Sequence, residues 1–411
     1  MIIFLKILIF ALPLTTCQLN NACKSFESYF NIYFSPDCFY IPDNYLNAPE
    51  IIKHHVGLFE HHKVTTEDGY ILGLFRIPQT SPKGVILLQH GFVQDARSWL
   101  SQYNESVAFW FWKAGYDVWL SNSRGTFYSQ KHSNLTVNDE EFWNFTFHEI
   151  GYFDLDAVIK YVKVCTKRPK VILVASSMGF ASSLVYVSSK YKEAAENVQI
   201  LIGLAPVWSL KYTKSLYKWA LFPSIHSILK NGLNRFISWH SWPHYDGWML
   251  WTLRMLNKVF PFKKLYIYTE SVFCGWSETG FDPSFINLMI DHLGAPSSLK
   301  NFEHIYQTIN NEEVRMFDYG KSRNLEIYGS EMNPSYLLEN VSVPLLLVYG
   351  TNDYLTQAGD IDALTQKLPE EAKVFGEMKI EGFSHTDFYF GRHRYEMVYK
   401  KVIEFLGNLE E

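Results

Sequence analysis

Cysteine is scarce in this chain, with five in 411 residues, and the formal net charge is only −5. Such a balance offers no electrostatic footprint for nucleic acid. There is no His-Glu-x-x-His run, no paired Cys-x-x-Cys and no Gly-rich phosphate loop, so the common zinc and nucleotide chemistries are excluded and no metal site is expected. The adjacent pairs His54-His55 and His61-His62 lack zinc-ligand spacing and are expected as exposed polar surface. Internal repeats, low-complexity tracts and flexible linkers are also missing. After the first 14 residues no apolar run is long enough to cross a bilayer.

What is present fits one large α/β core with an insertion. Hydrophobic residues make up 47% and aromatic residues 17%, a globular composition with bulky side chains. Met1 to Leu14 is apolar apart from Lys6, and Thr15-Thr16-Cys17 supplies small residues before Gln18. Residues 1–17 therefore read as a signal peptide cleaved after Cys17, with an N-terminal membrane anchor as the alternative. Of the remaining cysteines, Cys23 and Cys38 are placed to close a short loop in an oxidising compartment, leaving Cys165 and Cys274 as buried thiols, with a long-range pair as the alternative. Four N-x-Ser/Thr sequons, at Asn104, Asn134, Asn144 and Asn340, fit secretory passage as glycosylation sites. A secreted or lysosomal location is expected.

Short apolar runs bounded by turn signals recur at Val85–Leu88, Tyr116–Leu120, Val171–Val174, Ile200–Leu204 and Pro344–Tyr349. They predict strands buried on both faces. Helical periodicity lies between several of them, as over Asp154–Val164, and a last helix is expected over about Arg392–Leu406. Alternating strands and helices predict an α/β fold with a mostly parallel sheet. From about Pro206 to Tyr336 this rhythm breaks in an aromatic, mainly helical stretch containing Trp239, Trp242, Trp248, Trp251 and Trp276. That stretch reads as a cap, its tryptophans either lining an acyl channel or forming the cap's own core.

The chemistry centres on Ala175-Ser176-Ser177-Met178-Gly179, which follows a buried strand. Small residues two positions either side of Ser177 suit a nucleophile elbow, in which a strand turns sharply into a helix and exposes the serine Oγ. A serine needs a histidine base, and the histidine needs a carboxylate. Asp353 follows the strand-like run ending at Tyr349, where active sites of open α/β sheets gather, and His385 follows Met378–Glu381. Asp360, Asp387 and His393 are rivals that do not directly follow a strand. The order Ser177, Asp353, His385 is that of an α/β hydrolase. The main-chain N–H groups of Met178 and Phe92 are the expected oxyanion donors, with Gly91 allowing a tight turn and His90 bracing the loop.

These residues sit among longer motifs: Thr66-Glu67-Asp68-Gly69-Tyr70-Ile71-Leu72, Leu88-Gln89-His90-Gly91, Gly115 to Gly125, Asp139-Glu140-Glu141-Phe142-Trp143, and Phe383-Ser384-His385-Thr386-Asp387-Phe388. From about Pro49 onward the chain resembles the acid lipases, the group of gastric lipase and lysosomal acid lipase. The resemblance implies an α/β-hydrolase core with a helical cap, a triad on Ser177, Asp353 and His385, and oxyanion donors at Phe92 and Met178. The implied activity is hydrolysis of long-chain fatty-acid esters of glycerol or sterols at a lipid–water interface, with no cofactor. Two other readings are a carboxylesterase for shorter acyl groups and a non-catalytic lipid-binding protein on the same fold. The family elbow is typically Gly-His-Ser-Gln-Gly, so Ala175, Ser176 and Met178 depart from it, as does Ser121 from a family Gly. The cap has few cysteines, with only Cys274 clearly placed, which argues against the family's cap disulfide. The expected organisation is an N-terminal extension at 18–48, the core at 49–205 and 337–411, and the cap at 206–336.

Overall fold

The computed structural model describes residues 20–216, 218, 240–242, 252, 255–256, 262–292, 294–311 and 313–409. The expected signal peptide at 1–17 and Trp239, Trp248 and Trp251 lie outside the described residues. Eight strands form the central sheet: β1 (Glu60–Thr65), β2 (Tyr70–Ile77), β3 (Val85–Gln89), β4 (Asp117–Leu120), β5 (Val171–Ser176), β6 (Val198–Leu204), β7 (Leu345–Gly350) and β8 (Glu377–Ile380). Their spatial order is β1-β2-β4-β3-β5-β6-β7-β8, and the two-residue segment Lys131–His132 also pairs with β2. Pairs from β4 to β8 are parallel, whereas β2 runs antiparallel to both β1 and β4.

Burial on both faces explains the continuous apolar runs. Side chains alternate across a strand, so one face of β3, β5 and β7 presents Leu87, Leu173, Ala175 and Leu347, and the other presents Leu88, Val174 and Val348. Helices cover each face. Of those that matter for the site, α1 (Ala48–Val56) starts at a capping box in which Asn47 and Glu50 exchange side-chain and main-chain bonds. The others are α2 (Val107–Lys113), α3 (Asp156–Thr166), α4 (Met178–Ser189), α5 (Phe262–Cys274), α6 (Leu299–Asn310) and α7 (Lys400–Asn408).

The structure departs from the sequence reading in four places. The β1–β2 hairpin, absent from the predicted strands, adds an antiparallel flank to the sheet. The last helix is regular only over α7 and is preceded by a wide π turn at Tyr395–Tyr399. Cys165 is half-buried instead of buried, and Cys274 is buried; both are free thiols. His54 and His61 are exposed, but His55 and His62 are half-buried, because His55 reaches Asp43 (2.8 Å) and His62 reaches Tyr161 Oη (3.0 Å). Cys23 and Cys38 are joined by a disulfide that pins two short paired strands, Ala22–Cys23 and Cys38–Phe39.

Candidate active site

Ser177 sits between β5 and α4 with φ 53° and ψ −126°, a backbone region that costs a non-glycine residue about 1–3 kcal/mol. Neighbouring strands hold it there. Its N–H donates to the Leu204 carbonyl (3.0 Å), and its own carbonyl accepts from Val207 (3.3 Å). Gly179 is demanded by contact, since a Cβ there would lie 2.4 Å from the His90 carbonyl and 2.8 Å from that of Gln89. Ala175 is buried opposite Gln89 on β3 and Gly203 on β6, where a Cβ on Gly203 would lie 2.6 Å from the Phe180 ring.

The loops after β7 and β8 meet this elbow. His385 Nε2 lies 2.8 Å from Ser177 Oγ, and His385 Nδ1 lies 2.8 Å from Asp353 Oδ2. The other Asp353 oxygen accepts the N–H groups of Leu355 and Thr356, both at 2.8 Å, so the buried carboxylate is fully engaged. The rivals lie elsewhere. Asp360 accepts the N–H of Tyr212, Asp387 accepts the N–H of Ser384 (2.7 Å), and His393 is exposed. Burial raises both the Asp360 and the Asp387 carboxyl to about 6.

The expected oxyanion donors flank Ser177. Met178 is the first residue of α4, where a helix leaves its N–H groups without intrahelical acceptors. Neither the Met178 nor the Phe92 N–H has an acceptor among the described residues. Gly91 is needed for close approach and not for a left-handed turn: a Cβ would lie 3.0 Å from Ser177 Cβ. His90 is buried and braces the loop, its Nδ1 at 2.9 Å from the Gly91 carbonyl and its Nε2 accepting the Ser123 N–H (3.0 Å). Burial holds its pKa below the usual histidine value, so it stays neutral.

Several supporting residues carried no sequence signal. Val93, beside Phe92, takes φ 49°, rare for a β-branched residue, and its carbonyl accepts the N–H groups of Gly294 and Ala295 (both 2.8 Å). The Cys274 carbonyl at the end of α5 accepts the N–H groups of His385 (3.0 Å) and Tyr354 (3.3 Å), tying both triad loops to the cap. Gly275 packs so closely that a Cβ would fall 1.8 Å from the Asn352 carbonyl. Met178, in place of the family glutamine, is met by the cap: fully buried Asn301 on α6 directs its amide nitrogen to the thioether (3.3 Å). Phe302 stacks on Phe92 at 5.9 Å. Ser121 Oγ donates to the Leu88 carbonyl (2.9 Å), which accounts for its hydroxyl where the family has glycine.

Asp43, His54 and His55 form a ligand-capable cluster, their donor atoms within 4.8 Å of one another. Each carboxylate oxygen already meets one imidazole, at 3.2 and 2.8 Å, and no triad residue takes part. Of the sequons, Asn104, Asn134 and Asn144 are exposed and Asn340 is half-buried. Among the described residues no helix is long and apolar enough to cross a membrane.

A serine, a histidine and a carboxylate linked in one hydrogen-bonded line are the arrangement that acyl transfer uses. Comparison with known proteins points the same way. Residues 48–103 match the family described as partial alpha/beta-hydrolase lipase region, and residues 80–386 match the family described as serine aminopeptidase, S33. Lipase member M of Mus musculus is 30% identical over 382 residues, covering 89% of this chain and 86% of that protein. Gastric triacylglycerol lipase of Rattus norvegicus is 29% identical, covering 89% and 93%. A candidate lipase from Sulfolobus solfataricus shares the fold alone, with a TM-score of 0.53 at 14% identity over 85% of this chain and 99% of that one. By its sheet order and these matches the chain belongs to the acid lipase family of α/β hydrolases.

Proposed function

We propose that the protein is a lipase that hydrolyses long-chain fatty-acid esters, triacylglycerols or sterol esters, through an acyl-enzyme intermediate on Ser177. The observation that carries this reading is the unbroken line Ser177 Oγ, His385, Asp353 at a strained elbow. Ser177 Oγ attacks the ester carbonyl carbon while its proton passes to His385 Nε2, and Asp353 holds the imidazole and balances its positive charge. The carbonyl electrons move onto oxygen, where the N–H groups of Phe92 and Met178 receive them. On collapse the alcohol departs with the proton from His385, and water, activated by the same imidazole, releases the fatty acid. The long-chain preference draws on the name of the rat relative, a triacylglycerol lipase, and on the aromatic wall that Phe92 and Phe302 give the site.

The same reading places the protein in the secretory pathway, in a lysosome or outside the cell. The exposed sequons and the Cys23–Cys38 disulfide support it. The test is labelling of glycosylated protein by a fluorophosphonate, beside Ser177→Ala, together with an ester series from butyrate to oleate at pH 4 to 8. Labelling lost in the variant and turnover rising with chain length are expected. Turnover confined to short esters would make it a carboxylesterase. Absence of both labelling and turnover would remove the catalytic reading.

A further inference from the structure

A cavity of about 700 Å³ lies beside the N-terminal extension and contains no triad residue. Its walls come from Phe39–Ile41 of the extension, from the segment 102–110 after β3, from 282–285, and from 392–395 after β8. Two polar side chains lining it are buried without adequate partners. Gln102 is only 2% exposed, yet neither its Nε2 nor its Oε1 has a hydrogen-bond partner among the described residues. An unpaired buried amide is costly, and native structures normally satisfy both ends.

Arg394 is 4% exposed and makes no ion pair among the described residues. Nη1 donates to the Gly391 carbonyl (2.9 Å) and Nη2 to that of Glu105 (2.6 Å), while Nε has no partner. Two of its five N–H groups are thus engaged. Buried guanidinium groups ordinarily meet a carboxylate, and without one burial brings this pKa down to about 10. The ring of Trp110 lies 4.7 Å from the guanidinium carbon and 4.9 Å from the Tyr395 ring.

Charge at the mouth is mixed. Lys24, Arg392 and Arg394 oppose Glu105 and Asp282, and both carboxylates are held locally, Glu105 by the Trp110 indole N–H (3.2 Å) and Asp282 by the Ser284 N–H (2.9 Å). The cavity's apolar wall is its own, formed by Phe39, Ile41, Trp110, Phe285 and Tyr395. Unsatisfied buried donors on Arg394 and Gln102, together with aromatic and apolar walls around about 700 Å³, describe a site for a molecule with one anionic head and one hydrocarbon tail.

We propose that this cavity is a second, non-catalytic binding site for a single-chain anionic amphiphile, its head held by Arg394 and Gln102 and its tail lying along Phe39, Ile41 and Phe285 within the cavity. A free fatty acid and a lysophospholipid with a phosphate head share this chemistry. Equilibrium dialysis of radiolabelled oleate against full-length Ser177→Ala protein, below the micellar concentration, reads the site without turnover. One oleate per cavity is expected. Gln102→Leu or Arg394→Lys in that background should weaken binding at least tenfold, and oleyl alcohol should bind at least tenfold more weakly than oleate. Gln102→Leu keeps the size of a buried, unpartnered group, so its melting temperature should hold, and with Ser177 intact it should leave ester turnover unchanged. Competition by lysophosphatidate and by inorganic phosphate names the head: displacement at lower concentration than oleate assigns a phosphate head, and weaker displacement a carboxylate. Oleate that fails to bind, or binds equally to the parent and the folded Gln102→Leu protein, would overturn the proposal. Because the nucleophile is absent, that failure is distinct from a failure of the lipase reading.

Discussion

The meeting of Ser177, Asp353 and His385 was legible because chemistry restricts their types and their order, and because each follows a strand of the same parallel sheet, apolar before Ser177 and Asp353 and mixed before His385. The elbow flanks were legible only in part. Gly179 is fixed by two carbonyls, so Gly179→Ala must displace α4 from β3. We expect a loss of several kcal/mol or outright misfolding, read as a collapse in the denaturation midpoint. At Ala175 the opposite holds. Ala175→Gly restores the family residue but loosens a buried strand, and it should cost about 1 kcal/mol while ester turnover changes less than threefold. A turnover change above tenfold would mean that the extra methyl shapes the site. Asn301 could not have been found in the sequence, since its meeting with Met178 depends on how α6 docks over the elbow.

At the scale of elements, the parallel strands announced themselves through unbroken apolar runs, and the β1–β2 hairpin did not. The β1 run, Glu60-His61-His62-Lys63-Val64-Thr65, is polar at an edge where only one face is buried, so its two histidines read as surface. A buried ion network locks the hairpin turn to the rest. Arg124, almost fully buried, reaches Asp68 in that turn (2.6 Å) and Asp154 ahead of α3 (2.7 Å), and stacks over Tyr70 at 4.0 Å. Burial pushes both carboxyls up, and Arg124 pulls Asp68 back below its usual value, while Asp154 stays raised. Arg124→Met would strand both acids. A loss of about 3–5 kcal/mol is expected in denaturant unfolding at pH 7, shrinking at pH 5 as the carboxyls take up protons. Arg124→Lys should not rescue it, because an ammonium cannot bridge both carboxylates as the planar fork does.

For the molecule as a whole, two opposing groups of buried side chains act on stability against pH. Burial raises Asp360 and Asp387 to about 6, above about 3.9 for an unfolded Asp. Their folded forms keep the proton, so this stabilisation is full below about pH 3.9 and is lost as pH rises through 6. Burial depresses His90, His148 and His304, the last to about 4. Their contribution is full above about pH 6.5, the unfolded value, and is lost as pH falls toward 4. Over this window the two sets offset each other. Asp387→Asn removes one arm while keeping an oxygen to accept the Ser384 N–H. Since Asp387 is fully buried, the variant should gain about 2–3 kcal/mol at pH 7.5 and nothing near pH 4. Its stability should then fall more steeply on acidification than the parent's, in paired denaturant titrations at the two pH values. An equal gain at both would mean that the folded protein does not hold this carboxyl protonated, and the balance would have to lie with the other raised carboxyls, Asp360, Asp154 and Glu270.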